Sequence, residues 1–594
     1  MLLPARSAMG MMERCGADLR RSSPWLTDMY RRAFLASAAS PLLLSLSCGE
    51  RPVAAAPREG STAVQPVDRE LVLDAMLRAT RFLTETVAYR GAYLWAYLPD
   101  FSRCWGELEA RRSMLWVQPP GTPSVGHLLL DALHATGDAL YFRAALDTAR
   151  ALLSAQRPSG GWSYVYDFEG EAALAQWYTT VARNAWRMEE FHHHPDSATF
   201  DDSCTSAATQ FLLRLQLEPA LAALPEAAAV AAAVDKALRL VRLSQYPSGG
   251  WPQRHPPGDD YSRLVTFNDD VLLENLRTLL MAHAALGVPE LLGAVRAAMD
   301  CVLALQQPPP QPGWGMQHDL RGKPAAARSY EPAALATHTT AANLELLMTF
   351  QELTGDPKYT RRVPEALDWL ERVQLSPEQQ HEYGGTHPTF IELGSGDPLF
   401  VHRRGSNVVN GSYYVDKTFA PRLAHYSPVR SLDLAALRAR LAALRSASAQ
   451  RRPLLPERPG SVPLPRFFWW DGPTLRELCT GGPSARPAVS REEALQLVSS
   501  LDPQGRWLAP LARVSNPYRG SGSAQLYPSD TYASSNVGDR TDTSPYAATE
   551  APASYATEAP AGPGDPAPAA PLGISVAHFI RNQLNLIAYA TPAD

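Results

Sequence analysis

One unit recurs along this chain, and it restricts the fold more than any single motif. From Ser124 to Trp162 the sequence reads as an apolar helix, a Thr-Gly-Asp turn, a second apolar helix and a closing Gln-Arg-Pro-Ser-Gly-Gly-Trp. Related units begin at Asp201, Asn268 and Thr337, spaced roughly 70 residues apart, the room two helices and their loops require. The unit from Asp201 ends in Gln245–Trp251, the same heptad with one change. Helical hairpins that cannot bury both faces alone must stack on neighbours. The expected fold is therefore all-α: an α/α toroid, an incomplete ring of helical hairpins with a loop-rich, partly β active-site face. Each starting residue is suited to cap a helix, which predicts N-terminal helix ends gathered around one mouth. Such ends favour anions. The heptad itself is expected to stack the pairs: its glycines turn the chain, its Trp covers a helix end and its Gln satisfies loose carbonyls.

The remainder of the 594 residues divides by composition. Residues 1–48 read as an export signal, with Arg31-Arg32 before Phe34-Leu35 and a short apolar run. Cys48 is a candidate lipidation site, so the expected location is bacterial and exported: periplasmic, anchored as a lipoprotein, or extracellular. Residues 49–67 form a linker and 68–514 the helical domain. Residues 515–572 are rich in Ser, Pro, Ala and Gly and are expected to be disordered. Residues 573–594 return to a helical pattern that should dock on the domain. The formal charge is only −5, with 19% charged residues, which speaks against a nucleic-acid partner. Cys104, Cys204, Cys301 and Cys479 are far apart and are read as buried free thiols rather than a zinc site.

Several acidic, aromatic and basic blocks succeed one another in order. They are Thr-Phe-Asp-Asp-Ser-Cys-Thr (199–205), Gly-Gly-Trp-Pro-Gln (249–253) leading to Thr-Phe-Asn-Asp (266–269), Gln-His-Asp (317–319), Ala-Ala-Arg-Ser-Tyr-Glu (326–331) and Thr-Phe-Ile-Glu-Leu-Gly-Ser-Gly-Asp-Pro-Leu-Phe-Val-His-Arg-Arg-Gly (389–405). Across residues 69–405 this order resembles the pectate lyases of polysaccharide lyase family ten. The resemblance implies calcium-assisted anti-β-elimination of polygalacturonate or a related uronic-acid polymer. Removing the C5 proton leaves charge beside a carboxylate that is already an anion, so a cation is needed there. Carried over, Arg328 matches the proposed catalytic base, although arginine ordinarily stays protonated; a carboxylate clamp or an ion pair with Glu331 is the alternative. Asp201, Asp202 and Asp269 match acidic positions expected to bind metal, and Asp201 also substrate; helix capping is the alternative for Asp201 and Asp269. Arg403, Trp251, Gln253, His318 and Tyr330 match substrate-binding positions.

The chain departs from the family at Thr389, where a second binding arginine is expected, and at 407–418, where Asn-Val-Val-Asn-Gly-Ser-Tyr-Tyr-Val-Asp-Lys-Thr replaces an arginine-bearing segment. Two further readings of the same toroid remain open. One is a non-catalytic protein that binds an acidic glycan. The other is a glycoside hydrolase, with Asp201 and Asp269 as its two carboxylates. A triterpene cyclase is disfavoured because the chain lacks an Asp-x-Asp-Asp tetrad. The three histidines of Phe-His-His-His-Pro-Asp (191–196) are read as a solvated loop.

Overall fold

The computed structural model describes residues 66–182, 197–404, 412–419, 426–447, 452–511 and 572–591. All belong to one compact unit within Gly49–Asp594. The export signal, Cys48, the His192–His194 run and nearly all of 515–572 lie outside the described residues. Among the described residues no helix is long and apolar enough to cross a membrane. The four cysteines described are buried.

The fold is an α/α toroid. Its pairs are α2 (Thr122–Thr136) with α3 (Ala139–Ala155), α5 (Cys204–Gln216) with α6 (Glu226–Ser244), α7 (Val271–Leu286) with α8 (Leu291–Ala304), and α9 (Thr337–Thr354) with α10 (Val363–Arg372). Between the first two pairs lies the short α4 (Glu171–Thr180). The first helices α2, α5 and α7 touch in succession. The chain's two ends supply one more pair. α1 (Pro66–Arg81) packs against the last helix, Val576–Ala590, which also lies along α2. That last helix carries Gln583, whose amide reaches the Met76 carbonyl at 3.0 Å and Thr80 at 3.1 Å. The strand before it, Leu572–Ser575, pairs antiparallel with Ala96–Tyr97.

The heptad ends each outer helix in the same way. Gln156 Nε2 donates to its own turn at Gly160 (2.7 Å) and to Ala233 of α6 (2.9 Å). Gln245 Nε2 donates to Gly249 (2.9 Å) and to Ala294 of α8 (3.0 Å). Each Gln thereby ties one outer helix to the next. Gly160 and Gly249 have φ of +112° and +93°, and a Cβ there would lie 2.4 and 2.0 Å from the neighbouring helix carbonyls of Lys236 and Ala297. Trp162 and Trp251 are buried, and their indoles donate back to Leu152 and Val241. A third copy closes α8 without the Ser-Gly-Gly: Gln306 donates to Pro312 and Trp314 to Val302. The stacking role expected of the heptad is therefore seen three times.

The tryptophans also fix the chain leading into the next inner helix. The carbonyls of Trp162, Trp251 and Trp314 accept from Thr199, Thr266 and Ala336, each just ahead of an inner helix. The capping expectation fails at all four helix starts: Ser124 lies inside α2, whose N-cap is Gly121, and Thr337 is the first residue of α9, whose N-cap is Ala336. Asp201 and Asn268 open short 3₁₀ turns, Asp201–Ser203 and Asn268–Asp270, and the N-caps of α5 and α7 are Ser203 and Asp270, neither making a side-chain cap bond. The backbone enters these helices through the left-handed region, which turns the Asp side chains away from the helix N–H groups.

Candidate active site

Two repeated turns build the site. Thr199-Phe200-Asp201-Asp202-Ser203 and Thr266-Phe267-Asn268-Asp269-Asp270 share one backbone conformation at their strained positions. Asp202 and Asp269 have φ of +47° and +51°, and Ser203 and Asp270 have +59° and +56°. Consecutive non-glycine residues in this region cost about 1–2 kcal/mol each. That strain is held by the strand pairs on either side, Ala198–Thr199 with Arg254–His255 and Val265–Thr266 with Gln317–His318. The two turns lie against each other.

Between them lies Arg328, 2% exposed. Its Nε and Nη2 grip the two oxygens of Glu331 at 2.9 and 2.6 Å. Nη2 also meets Asp269 Oδ2 at 2.6 Å and Tyr426 Oη at 3.0 Å. Nη1 lies 3.8 Å from Asp201 Oδ2. Burial disfavours the cation, but Glu331, Tyr330, Tyr426 and Asp269 outweigh it and hold the guanidinium well above its ordinary range. Arg328 in this arrangement is a fixed cation, and the ion pair with Glu331 that the sequence left as an alternative is present.

The carboxylates around it are unequal. Asp201 accepts from Tyr164 Oη and is 1% exposed. Asp202 accepts from Gln118 Nε2 at 2.8 Å, and the same amide donates to Glu107. Asp269 is the most open of the three, and Asn268 Nδ2 donates to it at 2.7 Å. Burial raises its pKa well above the carboxylate range; Arg328 pulls it down, and Asp201 and Asp202 push it up again. A proton or a cation is therefore favoured among these three groups. Their hard oxygens suit calcium. Among the described residues, however, no three His, Cys, Asp or Glu side chains converge as a ready metal site.

Tyr330 lies over this centre, its ring 5.4 Å from Arg328 Cζ. Arg403 falls in the strand Pro398–Arg404, where it pairs in register with Tyr413 of Ser412–Asp416. Three expected substrate contacts are elsewhere. Trp251 is fully buried in the stacking turn. Gln253 is buried beside Phe200, whose N–H its carbonyl accepts. His318 is buried against Phe267; Nε2 accepts from the Gly315 N–H and Nδ1 meets the Gly322 carbonyl, so both nitrogens brace their own loop. Burial pushes its pKa down to about 4, keeping it neutral. All three support the site's loops instead of lining open surface.

Tyr164, Gln118 and Tyr426 belong to the site and carry no signal in sequence spacing. Tyr164 lies just past the first heptad, whose expected role is stacking alone. Tyr426 Oη donates to Glu331 at 2.9 Å and accepts from Arg328 and Asn268.

Residues 171–391 match the family described as pectic acid lyase. No protein of curated function matches the sequence. Among solved structures, the chain is similar to a family 10 polysaccharide lyase from Cellvibrio cellulosa, 20% identical over 46% of this chain and 84% of that one, with a TM-score of 0.32. A mutant of that lyase in complex with trigalaturonic acid matches at 20% identity over 46% and 85%, TM-score 0.32. A cellobiose 2-epimerase from Spirochaeta thermophila matches at 15% over 64% and 85%, TM-score 0.33.

Proposed function

Taking the match of residues 171–391 to the pectic acid lyases as premise, we propose that this protein cleaves a uronic-acid polysaccharide by β-elimination. One observation carries the reading: Arg328, a buried cation, lies where two repeated acidic turns meet, within the matched segment. In the reaction a base takes the C5 proton, the role the resemblance gives to Arg328 once it is neutral, and the electron pair of the broken C5–H bond forms the C4–C5 double bond. The C4–O bond breaks, and the leaving oxygen takes up a proton. Charge accumulates on the C6 carboxylate, and a fixed guanidinium held in low dielectric stabilises it without reorganising. Arg328 can serve as the base that the resemblance implies only after losing a proton, which requires Glu331 and Asp269 to be otherwise engaged.

Calcium is part of this proposal. Asp201, Asp202 and Asp269 would hold it, with the substrate carboxylate and water completing the oxygen shell. Bound there, it would supply positive charge to the uronate carboxylate. The support is electrostatic: Asp201, Asp269 and Glu331 face Arg328 and Asp202 adds its charge to Asp269, an excess that a proton or a bridging cation would relieve when an anionic polymer binds.

The test is new ultraviolet absorbance from the unsaturated product, measured on polygalacturonate with calcium and with chelator. Absorbance that chelation removes supports the proposal. New reducing ends without absorbance would support hydrolysis instead, and binding with neither would support a glycan-binding protein.

A further inference from the structure

A second arginine stands beside the acidic turns. Arg254 pairs in register with Thr199, the residue that opens the first turn. Residues directly opposite in an antiparallel pair share a face. The Thr199 hydroxyl on that face accepts the Asp201 N–H at 3.1 Å, so Arg254 lies on the side of the strands that the turn occupies. Tyr261 connects the two arginines. Burial raises its phenol, Arg328 and then Arg254 pull it down, and Asp201 and Glu331 push it up, so all four charges act at one hydroxyl. The Arg254 side chain keeps 10% of its surface open, against 1% for Arg328. Among the described residues its guanidinium makes no hydrogen bond, and none of its nitrogens is sealed from solvent. Its ion pair among them is with Asp260 Oδ2 at 3.7 Å, beyond hydrogen-bonding reach, and Asp260 is half exposed. Asp260 Oδ1 accepts the Ser262 N–H at 2.9 Å, capping the turn Tyr261–Arg263.

Resting on the lyase reading above, we propose that Arg254 binds a second uronate carboxylate of the same polymer, so that the preferred substrate carries free carboxylates on more than one unit at the site. The two arginines divide the work. Arg328 is committed to Glu331 and Asp269, and a substrate carboxylate reaching it must compete with bonds already made. Arg254 has given up most of its water without gaining a hydrogen-bonded counter-charge, which is costly for a cation. The half-exposed Asp260 repays little of that cost, since solvent screens the pair. A uronate carboxylate would accept from two guanidinium nitrogens at once without displacing any bond. A methyl ester or a neutral sugar offers that guanidinium no charge.

The test compares de-esterified polygalacturonate with methyl-esterified homogalacturonan at equal calcium. Affinity electrophoresis gives binding, ultraviolet absorbance gives cleavage, and thermal melts confirm that each variant folds. The unaltered protein should bind polygalacturonate more tightly. Arg254→Gln should weaken that binding about tenfold, the scale of one charged hydrogen-bonded contact, and raise KM more than it lowers kcat. Its binding of the esterified polymer should barely change. Arg254→Lys keeps the charge without the two-pronged grip and should recover part of the loss. Asp260→Asn keeps the acceptor for Ser262 and removes only the competing charge, so it should bind polygalacturonate at least as tightly as the unaltered protein. If Arg254 served only to pair with Asp260, the Gln and Asn variants would lose stability alike and neither would lose binding. That outcome, weaker polygalacturonate binding in Asp260→Asn, or no preference for polygalacturonate in the unaltered protein would overturn the inference. Binding in the expected order with no unsaturated product would keep the inference and refute the lyase reading.

Discussion

Arg328 concentrates the buried charge of the candidate site and with it much of the local stability. Its guanidinium is the counter-charge for Glu331, which is 1% exposed, and for Asp269. Arg328→Ala should therefore abolish product formation and also destabilise the fold by about 3–5 kcal/mol, the usual effect of stranding a buried charge. Thermal melts alongside absorbance assays check both. Arg328→Lys keeps the charge but cannot grip both Glu331 oxygens and Asp269 together. It should melt closer to the unaltered protein while losing most activity. A melt unchanged in Arg328→Ala would contradict the ion-pair account. At this scale the motifs led to Asp201, Asp269 and Arg328, and the structure brings the three together. Tyr426 and Gln118 were not legible, because a single side chain reaching in from a loop leaves no spacing to read. His318 and Trp251 were misplaced for the opposite reason: a motif records that a residue type is needed, not whether it faces solvent or holds the loop.

The helical hairpin and its closing turn carry the next scale. Gln245 contributes two bonds, one within its turn and one to the next pair. Gln245→Ala should cost about 1–3 kcal/mol by leaving carbonyls unsatisfied. Gly249→Ala should cost more, since its Cβ would lie 2.0 Å from the Ala297 carbonyl oxygen and φ is positive. Urea unfolding of both variants measures the order, and a Gly249→Ala protein as stable as the unaltered one would contradict it. The hairpins were legible because apolar residues recur at helical spacing through each unit. The third closing turn was hidden by Pro308-Pro309-Pro310, which replaces the heptad's pattern while keeping Gln306 and Trp314 in their roles. The two site turns escaped for a different reason. Asp and Asn before a helix suggest a cap, and only φ shows that the chain takes a left-handed step first.

At the scale of the whole molecule, the ring couples distant parts of the chain. Residues 466–472 reach into it: Asp131 of α2 accepts the N–H groups of Phe468 and Trp469 at 3.0 Å, Arg214 of α5 lies 4.2 Å over Phe468, and His127 stacks on the same ring. Burial first, then Arg214, pushes His127 down to about 3, and burial pushes His318 and His387 down to about 4. Below the ordinary histidine value the unfolded chain binds protons that the folded chain refuses, so stability falls as pH drops from 6.5 toward 4. Each such histidine contributes about 1.4 kcal/mol per pH unit in that window. Asp269 and Asp270, whose carboxyls burial raises, act in the opposite sense, so the histidine contribution is read by comparison: between pH 7 and 5 thermal melts should show the unaltered protein losing more stability, or gaining less, than His127→Gln. The ring itself was foreseen from spacing, and docking of the final helix from its apolar pattern. That this helix pairs with α1 was not legible, since no local signal links residues more than 500 apart.

The central claim is that Arg328 and the two acidic turns perform an elimination on a uronide. It is tested most directly by incubating the purified protein with polygalacturonate and with its methyl-esterified form, in calcium, and monitoring the ultraviolet absorbance of the unsaturated end group. Absorbance should grow with time, disappear with chelator and be mostly lost in Arg328→Lys protein that remains folded. Chain cleavage that releases reducing ends without that absorbance, or absorbance undiminished in the folded Arg328→Lys protein, would contradict the claim.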